Sequence, residues 1–113
     1  MADPTVTVSF KDIEHSDRVQ EEVERRCGLL AVEFPETTKF EVTLAPEGAG
    51  YTAHAHVTGR HTDVSGHAPG NQLGEAANKM LDKLERALRK AHDKKIFKNR
   101  REAQKHDAKR QAG

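Results

Sequence analysis

Apolar residues divide this chain into six segments with two different periods. Val6, Val8 and Phe10 alternate with Thr and Ser, which predicts a strand. Ser16 and Asp17 then read as a helix start, an N-cap followed by an acid in the first turn. Val19, Val23, Cys27, Leu30 and Phe34 recur at helical spacing, and Pro35 ends that helix. Phe40, Val42 and Leu44 alternate as a second strand, and residues 46–50 (Pro-Glu-Gly-Ala-Gly) read as a loop. Ala53, Ala55 and Val57 alternate as a third strand, with His54, His56 and Thr58 on its other face. Gly59-Arg60 predicts a tight hairpin into a short fourth strand around Thr62 and Val64. Gly66 to Asn71 reads as a Gly/Pro-containing loop. From Leu73 the positions Ala77, Met80, Leu84, Leu88 and Ala91 return at spacings of 3 and 4, one face of a long helix.

The order β-α-β-β-β-α implies an α+β fold. The first strand–helix–strand unit requires a right-handed crossover and a parallel pair, whereas the later hairpins are antiparallel. Two helices on one face of a four-stranded mixed sheet bury all the apolar faces at once. Residues 1–96 would form this single domain. Beyond Ile96 no large apolar residue occurs except Phe97, and residues 97–113 are expected to be a basic tail, disordered when free or a frayed helix extension.

Charge changes the picture. Residues 76–113 hold 13 Lys and Arg against 5 Asp and Glu, +8, while residues 1–75 hold 6 against 13, −7; together they give the net +1 of the chain. Such a split points to a polyanionic partner reached by one end of the molecule. At about 100° per residue, Lys79, Lys83, Arg86, Lys90 and Lys94 share one flank of the long helix. Asp82, Glu85 and Asp93 fall on the back and the other flank, where Arg89 has Glu85 as an i,i+4 partner. A Lys-rich solvated helix would also be basic, but segregation of the acids favours a row of phosphate contacts.

Other features narrow the class. No stretch is apolar enough to span a membrane, and Met-Ala-Asp-Pro-Thr lacks the basic and apolar regions of a secretory signal, so a cytoplasmic location is expected. Cys27 is the single cysteine, which excludes an internal disulfide, and its place on an apolar helix face marks an inert core thiol. With no Trp and only Tyr51, the chain lacks the aromatics of a base-stacking single-strand binder.

His54 and His56 share a strand face, with His61 and His67 nearby. They are weak metal candidates, because no Cys and no acid of telling spacing joins them; exposed-sheet histidines or RNA contacts fit better. The acids Asp12, Glu14, Asp17, Glu21, Glu22 and Glu24 read as a solvated surface rather than an acid/base pair. Pro69 removes a backbone donor from the 66–70 segment, which argues against a phosphate-cradling loop. No enzyme, cofactor, small-molecule substrate or membrane partner is expected.

Element order, length and the Lys-rich last helix together resemble the ribosome hibernation promoting factor and ribosome-associated inhibitor family. The matching segments are residues 5–10 (Thr-Val-Thr-Val-Ser-Phe), the helix from Ser16, residues 56–59 (His-Val-Thr-Gly), residues 81–90 (Leu-Asp-Lys-Leu-Glu-Arg-Ala-Leu-Arg-Lys) and Asp93-Lys94-Lys95. The resemblance implies a fold similar to a double-stranded-RNA-binding domain. It also implies binding to the small ribosomal subunit where messenger and transfer RNA would lie, and a bacterial stress or stationary-phase translation inhibitor. On that reading the rRNA contacts would come from Lys79, Lys83, Arg86, Lys90, Lys94, Lys95, Arg18, Arg25, Lys98, Arg100 and Arg101. Three features depart from the family. Gln72-Leu73-Gly74 stands where members commonly carry an acidic residue and an aromatic. The first helix is acidic, with only Arg18 and Arg25 on one flank. The C-terminal dimerisation domain of long members is missing, as in the short form. Two rival classes remain: a generic structured-RNA binder, and a protein-interaction module docking through its acidic first helix.

Overall fold

The computed structural model describes the backbone of residues 4–103 and the side chains of residues 4–93. Its elements are β1 (Thr5–Phe10), α1 (Asp17–Glu33), β2 (Thr37–Glu47), β3 (Gly50–Gly59), β4 (Thr62–Gly70) and α2 (Leu73–Ala103). They form a four-stranded sheet in the order β1-β2-β3-β4. β1 runs parallel to β2, pairing Val6 with Phe40 and Phe10 with Leu44. The β2–β3 and β3–β4 pairs are antiparallel. The α+β architecture and element order are those the residue pattern predicts.

Alternation decides which face is covered. Phe40, Val42 and Leu44 lie beside Val57, Ala55 and Ala53 of β3, and Ala53 lies beside Ala68 of β4. This layer meets Val23, Cys27, Leu30 and Phe34 from one helix and Ala76, Ala77, Met80, Leu81, Leu84 and Leu88 from the other. α1 packs on β1 and β2, and α2 on β3 and β4. Each fully buried Leu, Val, Phe or Met contributes roughly 1.5–3 kcal/mol relative to exposure. The Ser16 hydroxyl caps α1 by accepting from the Val19 N–H at 3.3 Å. At the other end the Phe34 N–H donates to Leu30 O at 2.7 Å before Pro35 stops the helix.

Two boundaries differ from the pattern-based expectation. The β2–β3 connection is only two residues long, with Glu47 opposite Gly50 and Gly48 at φ +59°, so Pro46 belongs to β2. The segment Gly66–Gly70 is not a loop but the second half of β4, paired with residues 51–55. β4 is the last strand of the sheet, and an edge strand accommodates Pro69. Its glycines mark close backbone approach rather than a turn. A Cβ on Gly66 would lie 3.4 Å from Leu84 Cα, and one on Gly70 would lie 2.5 Å from Ala76 N. α2 itself continues to Ala103, the helix-extension alternative for residues 97–103; residues 104–113 lie outside the described residues.

The glycines give a paired prediction. Gly70→Val forces α2 away from β4 and should destabilise the protein by about 1–3 kcal/mol. Gly28 of α1 has open space around its would-be Cβ, so Gly28→Ala should stabilise by about 0.5–1 kcal/mol. Thermal melts read both; two shifts of the same sign would contradict this packing.

Candidate nucleic-acid interface

The seat on β3 and β4 sorts the surface of α2 into three strips. The first is the buried face already described. The second faces α1 and is cross-linked to it. Arg26 of α1, its side chain only 20% exposed, donates from Nη2 to Asp82 at 2.9 Å and lies 3.8 Å from Glu85. Arg89 donates to Glu33 of α1 at 2.7 Å and to Glu85 at 3.1 Å. It also sits over the Phe34 ring, 6.0 Å from the centroid. The hydrogen bond to Glu85, and then the Glu33 charge, push the Arg89 pKa further up. His92 Nδ1 lies 3.0 Å from Glu36. The acids Asp82 and Glu85, read from the sequence as a solvent side, therefore bind α1. The reason is that helical phase shows which residues share a flank but not which neighbour that flank meets.

The third strip is cationic. Lys79, Lys83, Arg86 and Lys90 are all exposed on the flank turned away from α1. Lys79, Lys83 and Arg86 line a shallow groove beside Ala68 and Pro69 of β4, and Asp82 reaches its rim. Lys79 pairs with Glu75 at 3.7 Å; Lys83, Arg86 and Lys90 have no acidic partner among the described residues. The chain thus holds a strip of exposed positive charge on a rigid element, the arrangement that contacts phosphates without reading bases.

The remaining candidates are placed differently. Lys94, Lys95, Lys98, Arg100 and Arg101 belong to α2 by backbone, but their side chains lie outside the described residues. Arg18 is exposed in the first turn of α1, in a cleft shared with Leu73, Gly74, Glu75 and Asn78. Arg25 is 60% exposed and held by Glu22 at 2.8 Å. The structure does not bring Arg25 into the α2 strip, because the acids of the interhelix contact lie between them.

Sequence reasoning missed Glu75. Its carboxylate accepts from the Asn71 N–H at 2.6 Å and so closes the start of α2. That hydrogen bond, followed by the Lys79 charge, lowers its pKa. An acid in the first turn of a helix was the available signal.

On the uncovered sheet face, His54 stacks on His67 at 4.6 Å, whereas His56 turns to Asp63 at 2.6 Å. The two candidate ligands thus serve different neighbours. Among the described residues, no three His, Cys, Asp or Glu side chains are grouped to hold a metal. Burial pushes the Cys27 thiol up to about 12, so it is not a nucleophile at neutral pH. No helix among the described residues is long and apolar enough to cross a membrane.

Fold and residue pattern agree with the comparisons to known proteins. The model of the family described as sigma 54 modulation protein / S30EA ribosomal protein matches residues 6–96, and the chain belongs to that family. The family consists of ribosome-associated, non-enzymatic factors. A ribosomal subunit interface protein from Coxiella burnetii superposes with a TM-score of 0.72 at 13% identity, covering 79% of this chain and 98% of its own. The N-terminal domain of Thermus thermophilus Protein Y superposes with a TM-score of 0.66 at 18% identity, over the same shares of the two chains. At these identities the two structures establish the shared fold. No curated protein matches the chain by sequence.

Glu75 gives a pH prediction. A carboxylate with a lowered folded-state pKa stabilises the protein above its unfolded pKa, and that contribution is lost as pH falls through the folded value. Glu75→Gln should therefore lower the Tm near neutral pH, and the gap to the parent should close on acidification. A gap that is constant from neutral to acidic pH would show that the charge has no part in capping α2.

Proposed function

We propose that the protein silences ribosomes by occupying the decoding channel of the small subunit, with the α2 strip lying on rRNA phosphates. The observation that carries this reading is the run Lys79, Lys83, Arg86 and Lys90, exposed on one flank while Asp82 and Glu85 of the same helix are engaged by Arg26 of α1. Membership of a ribosome-associated family supports it. The mechanism is occlusion: a folded domain fills space that messenger and transfer RNA would use, and no bond is made or broken. Phosphate contacts position the domain, and the shape of the channel supplies specificity. Lys94, Lys95, Lys98, Arg100 and Arg101 would extend the contact along the RNA, and Arg18 and Arg25 would add contacts from α1. The protein would act in the cytoplasm, where ribosomes are idle in stress or stationary phase.

The protein should co-sediment with small subunits and bind naked RNA duplexes poorly. If five basic residues of the strip each neutralise a phosphate, log K against log salt should slope by roughly −3 to −5. Lys83→Glu with Lys90→Glu should abolish binding and leave the fold intact, because both side chains point away from the core. Lys11→Glu with Lys39→Glu changes net charge equally but lies off the strip, and it should bind nearly as well as the parent. Equal loss from both pairs would show that net charge matters and the strip does not.

The C-terminal segment carries Lys98, Arg100, Arg101, Lys105, Lys109 and Arg110 without an apolar face to bury. It is proposed to lie along the messenger path. Ending the chain after Lys95 should weaken both ribosome affinity and translation inhibition, with a smaller loss at high salt. Unchanged inhibition at low and high salt would remove that role.

A further inference from the structure

The opposite edge of the molecule has its own unmet chemistry. We propose that the outer edge of β1 is a docking surface for an extended, basic segment of a partner protein, which joins the sheet as a fifth strand. β1 is the terminal strand of the sheet. The Lys11 N–H donates inward to Leu44 O at 2.8 Å. By alternation, the backbone groups of Thr7 and Ser9 also turn to β2, and those of Val6, Val8 and Phe10 turn outward. No strand among the described residues pairs with them.

Side chains reinforce the backbone argument. Val6, Val8 and Phe10 lie in the same apolar layer as Phe40, Val42 and Leu44. The β2 residues are at most 1% exposed, whereas the β1 residues are only half-buried. An added strand would cover the half-exposed row and satisfy the free backbone together. The two edges of the sheet also differ in their protection. β4 carries Asp63 and Pro69, residue types that discourage strand addition, whereas Thr5–Phe10 has no charge and no proline.

Charge selects the occupant. Asp12, Glu14 and Asp17 follow β1 directly, with Lys11 and His15 among them; the latter lies 3.2 Å from Asp17. Glu21 and Glu24 sit about 140–160° around α1 from Arg26, which faces α2. That turns them toward the β1 side of the sheet, where both are exposed. Five carboxylates thus border an uncharged strand edge. They repel RNA, and in a two-fold pairing of β1 with a second copy they would face one another. A basic polypeptide strand meets both the hydrogen-bonding and the charge requirement.

The test uses the full chain and a fluorescein-labelled synthetic peptide, Lys-Val-Thr-Val-Lys-Val-Thr-Val. Controls are its counterpart with Glu for Lys and a version N-methylated at alternate residues. The Lys peptide should bind at least about tenfold more tightly than either control, and shift the amide signals of Val6, Val8 and Phe10. Glu21→Lys with Glu24→Lys should weaken it, with a loss that shrinks as salt rises. Val8→Pro removes one outward N–H without touching the ladder to β2 and should also abolish binding. The N-methylated peptide keeps the test decisive if that variant does not fold. Equal binding of the Glu or N-methylated peptide would overturn the proposal. So would signal shifts confined to α2, or a concentration-dependent dimer that the peptide displaces.

Discussion

The close approach of α2 to β4 is the constraint on which the rest of the structure depends. Two glycines on an edge strand let a long helix lie with its backbone almost against the sheet. The helix then buries Met80, Leu81, Leu84 and Leu88 completely, with Ala76 and Ala77 where the fit is tightest. Small residues at the contact, rather than large ones, fix both the height and the rotation of α2. Because that rotation is fixed, the polar residues of the helix have fixed destinations. One flank must meet α1, and the other must face solvent beyond β4.

The electrostatics follow from that rotation. Arg26 and Arg89 bind the acids on the α1 side, so Asp82 and Glu85 are compensated where they stand. Exposed ion pairs of this kind add little stability individually, typically about 0–1 kcal/mol. Their larger effect is on the distribution of charge: Glu85 is held on the α1 side, and Asp82, at the rim of the cationic groove, is neutralised by Arg26. At the opposite edge, the first half of α1 and the loop before it are rich in acids, of which Asp17 neighbours His15 and Glu22 pairs with Arg25. The outcome is a bipolar molecule with a small net charge. A basic strip suits an RNA surface, and an acidic rim around a strand edge left unpaired among the described residues suits a basic polypeptide. Ribosomes offer both chemistries close together.

Much of this was legible in the residue pattern. Alternation at Val6, Val8 and Phe10, and again at Phe40, Val42 and Leu44, locates the parallel pair that anchors the sheet. The 3-and-4 spacing from Leu73 locates α2 and, with it, the flank that carries Lys79, Lys83, Arg86 and Lys90. Three features were not legible. Gly66, Pro69 and Gly70 have loop composition, yet they form a strand because an edge position tolerates Pro69 and the close approach of Ala76 demands Gly70. Asp82 and Glu85 have the spacing of solvated residues, and only the placement of α1 shows that they are engaged. Glu75 as the closing group of α2 requires the course of the chain at Asn71, which periodicity does not contain.

The central claim is that the α2 strip lies against small-subunit RNA. Site-specific photo-crosslinking tests it most directly, with benzoylphenylalanine placed at Lys83 and, as a contrast, at Glu24, in the full chain bound to ribosomes. The account predicts crosslinks from position 83 to small-subunit rRNA, and none to rRNA from position 24. Crosslinks from position 83 to protein alone, or to large-subunit rRNA, would contradict it.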